Sequence, residues 1–490
     1  MSPRRPVWLC LCLLIAAWTT VAPGAATGHG SVETTTDPRF AAIDWVVDSA
    51  LAQPHLRGAD VAILMESLST GEVLYERNPD LPMIPASNMK AVTGAAALHV
   101  LGPDFAFETV VATDRDARGP TLGGNLYVSG SGDPSLVSEE LWKLVEEIRV
   151  LGIRRVEGDL VLDAGRFDAR TTTSAEVGDG DRAYHARIGA LSLNFNAIAV
   201  YVSPGERPGE PALVRVSPGT SFVDVRNRAK TGRQGGRSEL SVRRTFENAR
   251  NVITVEGSVP SGSGTTVHYR NLDDVPGYFG TVLREFLAAA GIEIGGEVVG
   301  GSLPDGTRVL VTHRSKPLAL IVRDLNKYSN NFVAEQLLKA LGAEIAGPPG
   351  TTAAGTAALR AYLSDSGADS VSYRVVDGSG FSRNNRLSPR DLVLVMKRGL
   401  SDFSMSYEYA ASLSVSGTDG TLKDRMGYPG LMSEVRAKTG LLDGVTAISG
   451  IVNTASGEQV LFSIIVNGFT CEAWRAHDLE HAILAVASRA

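Results

Sequence analysis

Ser87-Asn88-Met89-Lys90 pairs a hydroxyl with an amine three residues on. A serine becomes a nucleophile only when a neighbouring base takes its proton, and a desolvated lysine with a lowered pKa can be that base. A spacing of three puts both side chains on one helix face. The helix is expected over Ser87–Leu101, a run rich in Ala, Leu and Met with Pro85 just before it and Gly102 just after. Backbone N–H groups of a first helical turn point at whatever the serine attacks. Only nine of the 47 basic residues are Lys, yet chance alone supplies about one Ser-x-x-Lys in such a chain. Alone, the pair reads better as a capping serine and a solvated lysine.

Ser329-Asn330-Asn331 stands just ahead of a helix expected over Asn331–Leu341. Ser-x-Asn also occurs at Ser192 and Ser382, and Ser or Asn before a helix is commonly a cap. Lys438-Thr439-Gly440 opens the apolar run Leu441–Val452. A lysine at a strand edge suits a carboxylate, and a glycine two residues on lets another backbone approach closely. The same triplet at Lys230–Gly232 leads into the Gly/Arg stretch Gly232–Arg237, read as a loop, so Lys438 is preferred to Lys230.

Other chemistry is thinly represented. His477–His481 fits H-x-x-E-H, an inverted zinc-peptidase pattern, but the chain ends nine residues later with no further ligand, so a terminal amphipathic helix with two surface histidines is expected and no metal. No cofactor is expected. Cys10 and Cys12 lie in the apolar leader, which leaves Cys471 as a packed small residue. A net charge of −7 argues against a nucleic-acid partner.

The elements that must hold these residues fall into two textures. Phe40–Gln53 reads as a helix, and Val61–Glu66 with Glu72–Arg77 as a hairpin. From about Phe107 to Gly301 short apolar runs sit between Gly, Pro and Ser clusters, with one clear helix at Glu139–Leu151. Helices return at Ala353–Ser364 and Pro389–Gly399, then two strand-like runs, Gly440–Asn453 and Gln459–Asn467, and a last helix over Glu472–Ala490. A mixed domain made from the two ends, with a β-rich middle inserted, follows from this order.

Ser-x-x-Lys, Ser-x-Asn and Lys-Thr-Gly in that order form the set tied to penicillin-binding proteins and class A β-lactamases. The chain resembles the low-molecular-mass class C penicillin-binding proteins, D-alanyl-D-alanine carboxypeptidase/endopeptidases with a large insertion. Leu126–Leu136, Leu193–Asn196, Asp377–Arg383 and Gly417–Leu422 support the likeness, as do the 242 positions between Ser87 and Ser329, far more than a β-lactamase has.

The resemblance implies an α+β fold, a transpeptidase-like domain whose central antiparallel sheet is flanked by helices and split by two small β-rich domains. The expected division is residues 35–112 and 305–490 for the catalytic domain and 113–304 for the insertion. It implies Ser87 as nucleophile, Lys90 as general base and Ser329 as proton relay. Asn331 would bind the substrate backbone, and Lys438, Thr439 and Gly440 would hold the terminal carboxylate. The oxyanion hole would be the N–H groups of Ser87 and Leu441. The substrates would be peptidoglycan peptides, with β-lactams as covalent inhibitors. Leu441 departs from the family's Thr or Ser, which keeps the N–H and loses a hydroxyl. Phe381, Arg383 and Leu442 either border the substrate groove or merely pack, and Asp133 and Asp377 are read as turn-fixing. A β-lactamase and a non-hydrolytic cell-wall binding protein are the competing functions; the long interval opposes the first, and Leu441 alone supports the second.

Arg4-Arg5, an apolar run from Val7 to Ala22 and small residues to Ala26 read as a signal peptide over residues 1–26. Export to the cell wall, periplasm or medium follows, with peripheral attachment to the outer face of the membrane left open.

Overall fold

The computed structural model describes residues 37–174, 180–426 and 430–490. The leader read as a signal peptide lies outside the described residues. No described helix is long and apolar enough to cross a membrane.

The first hairpin forms as expected, at Asp60–Ser67 and Val73–Arg77. Seven consecutive residues of its first strand are buried, because helices cover both faces of the sheet to which it belongs. That sheet has six strands, in the order 73–77, 60–67, 459–467, 445–453, 435–442 and 414–415. Every neighbouring pair is antiparallel. Both chain ends therefore build one sheet, as the order of elements suggests.

The expected single run Gly440–Asn453 is two strands, Val435–Leu442 and Val445–Asn453. They pair through Leu442 and Val445 around Asp443-Gly444, and Gly444 takes φ 69°. Asp-Gly is a strong two-residue hairpin signal, hidden here by the apolar residues on either side.

Helices Ala42–Leu51 and Ala473–Ala487 cover one face, packing Ile43, Val47, Ile483 and Leu484 against Ile63, Ile448 and Phe462. On the other face lies helix Met89–Leu101, whose first ten residues are all buried. A helix apolar on all sides belongs inside, and Leu318–Tyr328, Asn331–Ala346, Thr352–Asp365 and Pro389–Ser401 surround it. That central position is what strips water from Lys90.

Residues 108–314 carry the remaining sheets and a separate core. Strands Glu108–Thr113 and Arg308–Arg314 run antiparallel where the chain leaves and re-enters. Helix Ser138–Val150 matches expectation; Val275–Ala289 does not, because Pro276, Gly277 and Gly280 mask its pattern. Asp274 caps it by accepting from Gly277 N, and a Cβ on Gly280 would run into Val298 and Leu162, so the glycine permits close helix–sheet contact.

Candidate active site

Ser87 lies in a 3-10 turn, Ala86–Asn88, that runs directly into helix Met89–Leu101. The turn is held tightly. Ala86 has φ 46°, and a Cβ on Gly380 would fall within 1.8 Å of the Ala86 carbonyl oxygen. Only glycine allows the 377–383 loop to come this close.

Lys90 is fully buried beneath Ser87. Its Nζ lies 2.8 Å from Ser87 Oγ, 2.7 Å from Asn331 Oδ1 and 2.7 Å from the Ser379 carbonyl oxygen. Burial lowers its pKa to about 7, against the pull of Glu335 and Asp377. A neutral amine has two N–H groups and one lone pair. Asn331 Oδ1 and the Ser379 carbonyl can only accept, so they take both hydrogens. The lone pair is left facing the Ser87 hydroxyl, which is the alignment a general base needs.

Ser329 links helices Leu318–Tyr328 and Asn331–Ala346 in the left-handed region, at φ 55° and ψ 41°. This sharp joint turns its hydroxyl toward Lys438, whose Nζ donates to it at 2.9 Å and to the Thr439 carbonyl at 2.6 Å. Asn330 caps the second helix by accepting from Val333 N. Asn331 is then oriented at both ends of its amide: Oδ1 faces Lys90, and Nδ2 donates to the Tyr184 carbonyl at 3.2 Å.

Strand Val435–Leu442 brings Lys438, Thr439 and Gly440 past the same turn. Ser414–Val415 pairs only with Arg436–Ala437, so beyond Ala437 no described strand covers that edge. A Cβ on Gly440 would meet Pro85 O at 2.8 Å and Ser87 N at 3.1 Å. Thr439 Oγ1 donates to Thr421 Oγ1 at 2.8 Å, and Leu441 is exposed. Lys438 is buried, and burial with the nearby Lys90 and Arg425 charges holds its pKa well below the usual lysine range. All eight expected site residues thus converge from three distant segments.

Lys230 is elsewhere. It is exposed and sits in a three-residue strand, Lys230–Gly232, parallel to Ser258–Pro260. The expected Gly232–Arg237 loop therefore holds except at Gly232, which ends the strand.

Glu335 escaped notice in the sequence. It lies four residues after Asn331, hence on the same helix face, and it is buried. It accepts from Ser379 N at 2.8 Å and Gly378 N at 3.2 Å, so it shapes the loop whose carbonyl holds Lys90. Burial and the adjacent Asp377 push its carboxyl up. Asp377 fixes the turn as expected, accepting from Gly380 N and Ser382 N, and it also adds to the field around Lys90. Asp133 holds Ser135 in the same manner. Arg383 donates to the Asp443 carbonyl beside Leu442, and Phe381 stacks near Tyr184 and His185.

The C-terminal H-x-x-E-H differs from expectation. Its histidines are half-buried, and desolvation together with Arg425 lowers both to about 4. Glu480 is fully buried, paired with Arg425 and accepting from Thr446 Oγ1. It points inward, toward Thr446 on the sheet and Arg425 in the turn that follows Gly420–Leu422. Cys471 packs against the core on this side.

Comparison with known proteins agrees with this geometry. Residues 44–490 match the D-Ala-D-Ala carboxypeptidase 3 (S13) family. The D-alanyl-D-alanine carboxypeptidase of Actinomadura sp. (strain R39) is 35% identical over 438 residues, 86% of this chain and 80% of that protein. The D-alanyl-D-alanine carboxypeptidase of Haemophilus influenzae is 27% identical, over 88% of this chain and 90% of its own length. Crystal structures of penicillin binding protein 4 from Haemophilus influenzae superpose with TM-scores of 0.80 (24% identity) and, in complex with a β-lactam, 0.75 (25% identity). Each covers 91% of this chain, and 99% of each solved chain is matched. These matches favour neither the β-lactamase nor the binding-only reading: the chain belongs to the D-Ala-D-Ala carboxypeptidase 3 (S13) family and is a serine hydrolase of the DD-peptidase class.

Proposed function

We propose that the chain cleaves the terminal D-Ala-D-Ala bond of peptidoglycan stem peptides through an acyl-enzyme on Ser87. The observation that carries this is the buried Lys90 amine, 2.8 Å from Ser87 Oγ with both of its hydrogens directed at carbonyl-type acceptors. Ser87 Oγ attacks the carbonyl between the two D-alanines while Lys90 takes the hydroxyl proton. The oxyanion is met by the N–H groups of Ser87 and Leu441. The C–N bond breaks, and the proton taken up by Lys90 passes through Ser329, with Lys438 nearby, to the leaving amine, which returns Lys90 to its neutral form. Water, deprotonated by Lys90, then attacks the acyl carbonyl, and the shortened peptide leaves as Ser87 regains its hydrogen.

Asn331 binds the peptide backbone. Lys438, Thr439 and Gly440 receive the terminal carboxylate, and an arriving anion restores to Lys438 the positive charge that burial disfavours. A β-lactam opens on Ser87 in place of the peptide, and its adduct persists. Within the same proposal, residues 35–112 and 305–490 form the catalytic domain and 113–304 the insertion. Strands Glu108–Thr113 and Arg308–Arg314 pair with each other near both cuts, which supports a division there, although both belong to the five-stranded sheet of the insertion. The 1–26 leader supports export, and its apolar run leaves room for peripheral membrane attachment.

Mass spectrometry of the protein after incubation with penicillin and with a pentapeptide ending in D-Ala-D-Ala tests the assignment. The expected results are one adduct on Ser87, none in Ser87→Ala, and release of D-alanine. An adduct in Ser87→Ala would sink it.

A further inference from the structure

A cavity of about 630 Å³ is lined at one end by Tyr328, Ser329, Asn330 and Asn331 and runs along the inserted segment. Five exposed aromatic side chains line it: Tyr184, Phe195, Tyr201, Tyr269 and Tyr328. Exposed aromatics gathered in one concavity are rare on a surface that has no ligand to meet there.

The strand pattern builds the cavity. Ala197–Ser203 alternates: Ile198, Val200 and Val202 enter the core of the insertion, while Ala197, Ala199 and Tyr201 face the cavity. The neighbouring strand pairs Tyr269 with Ala199 and Val267 with Tyr201, so the two tyrosines stand diagonally on the same face. Two alanines thus form a flat floor between tyrosine walls. Phe195 sits at the rim at φ 59°, between Asn194 and Asn196, both also in the left-handed region. Its ring meets that of Phe332 edge-on at 6.0 Å, one residue past Asn331. Three non-glycine residues in succession at positive φ are costly, and such strain persists where a side chain must be presented.

Several polar side chains line the cavity, and Ser138, Asn194, Ser329 and Asn331 are already hydrogen-bonded within the protein. Glu139 is exposed in the first turn of its helix and makes no ion pair among the described residues. Asn330 uses its oxygen for capping, and its NH2 donates no hydrogen bond among the described residues. Aromatic faces beside one carboxylate and one uncommitted amide NH2 suit a pyranose ring, which offers C–H faces to aromatics and hydroxyl and acetamido groups to those two polar side chains. Peptidoglycan stem peptides hang from such sugars.

We propose that this cavity is a saccharide subsite, which holds the uncharged N-acetylated amino sugars of the glycan while its stem peptide enters the catalytic cleft. The proposal rests on the DD-peptidase reading for its biological sense, but its binding step does not require catalysis.

The test has two arms, using the whole protein and the double variant Tyr201→Ala/Tyr269→Ala, checked for an unchanged melting temperature. In the first, saturation-transfer NMR probes N,N′-diacetylchitobiose, which carries no peptide. Ring-proton signals are expected with the wild type and not with the double variant. Absence of binding to the wild type, or equal binding to both, overturns the subsite. So does binding of a free peptide there in place of the sugar. If the double variant does not fold, Tyr269→Phe replaces it and must keep binding while Tyr269→Ser loses it. In the second arm, kcat/KM is compared for a free pentapeptide and the same pentapeptide on its disaccharide. The double variant is expected to lose about tenfold on the second and less than about twofold on the first. Equal losses overturn the proposal. If D-alanine is released from neither substrate by the wild type, the peptidase reading fails, and the saccharide result still decides the subsite.

Discussion

Gly440 passes Ser87 so closely that a single added carbon would sit 3.1 Å from the Ser87 nitrogen. The strand and the nucleophile's turn are therefore fitted to each other at the spot where Ser87 N–H is assigned to the oxyanion. Gly440→Ala should slow acylation by penicillin on the order of a hundredfold, since a displacement of about 1 Å in a catalytic array costs that much. Stopped-flow fluorescence with a labelled penicillin measures it. A variant acylated at the wild-type rate would show that the contact does not govern geometry.

Lys90 must be neutral to accept a proton, and its pKa is about 7. The acylation rate should climb about tenfold per pH unit below 7 and level off above it. Lys90→Arg, which stays charged throughout, should lose a factor of about 10² to 10⁴. A rate independent of pH between 5 and 8 would exclude Lys90 as the base.

Glu335 acts through Lys90 and does not face Ser87. Its negative charge favours the ammonium form. Glu335→Gln removes that charge, so the inflection of the acylation profile should move to lower pH. The same substitution puts an NH2 toward Gly378 N or Ser379 N, which loosens the loop and lowers the plateau. Loss of rate with an unmoved inflection would reduce Glu335 to a scaffold role.

His477 and His481 are held near 4 in the folded protein, below their ordinary 6.5. Between those values the unfolded chain binds protons that the folded chain excludes. Stability from this source is therefore complete above about 6.5 and falls as the pH drops toward 4. Thermal unfolding from pH 7 to 4.5 should show a shallower decline for His477→Gln/His481→Gln than for the wild type. Parallel curves would count against the assignment.

The chemistry was more legible than its surroundings. Ser87, Lys90, Ser329, Asn331 and Lys438 were readable because fixed spacings on helices and strands carry their geometry. Lys438 stood apart from Lys230 through the apolar run that follows it. Glu335 was not readable, since a glutamate inside a helix looks like an ordinary solvated residue until the whole helix proves buried. The Tyr184 and Ser379 carbonyls left no trace, because any side chain brings the same backbone oxygen. The Val275–Ala289 helix was obscured by glycines that tertiary packing requires. His477 and His481 were read as surface residues because Arg425, which pairs with Glu480 between them, lies 55 residues from Glu480 in sequence.

Asn331 owes half of its orientation to the Tyr184 carbonyl, a group from the middle of the chain. Further along the same helix, fully buried Lys339 pairs with Asp168 and donates to the Arg170 carbonyl. Between them Gln336 donates to the Gly189 carbonyl and accepts from Gly189 N, so the middle segment is wired into the helix that presents Asn331 along much of its length. The enzyme cannot be miniaturised by splicing residues 112 and 305 together: a trimmed version would keep its nucleophile and base but leave the Asn331 amide held only by Lys90 and the Lys339 cation without its carboxylate.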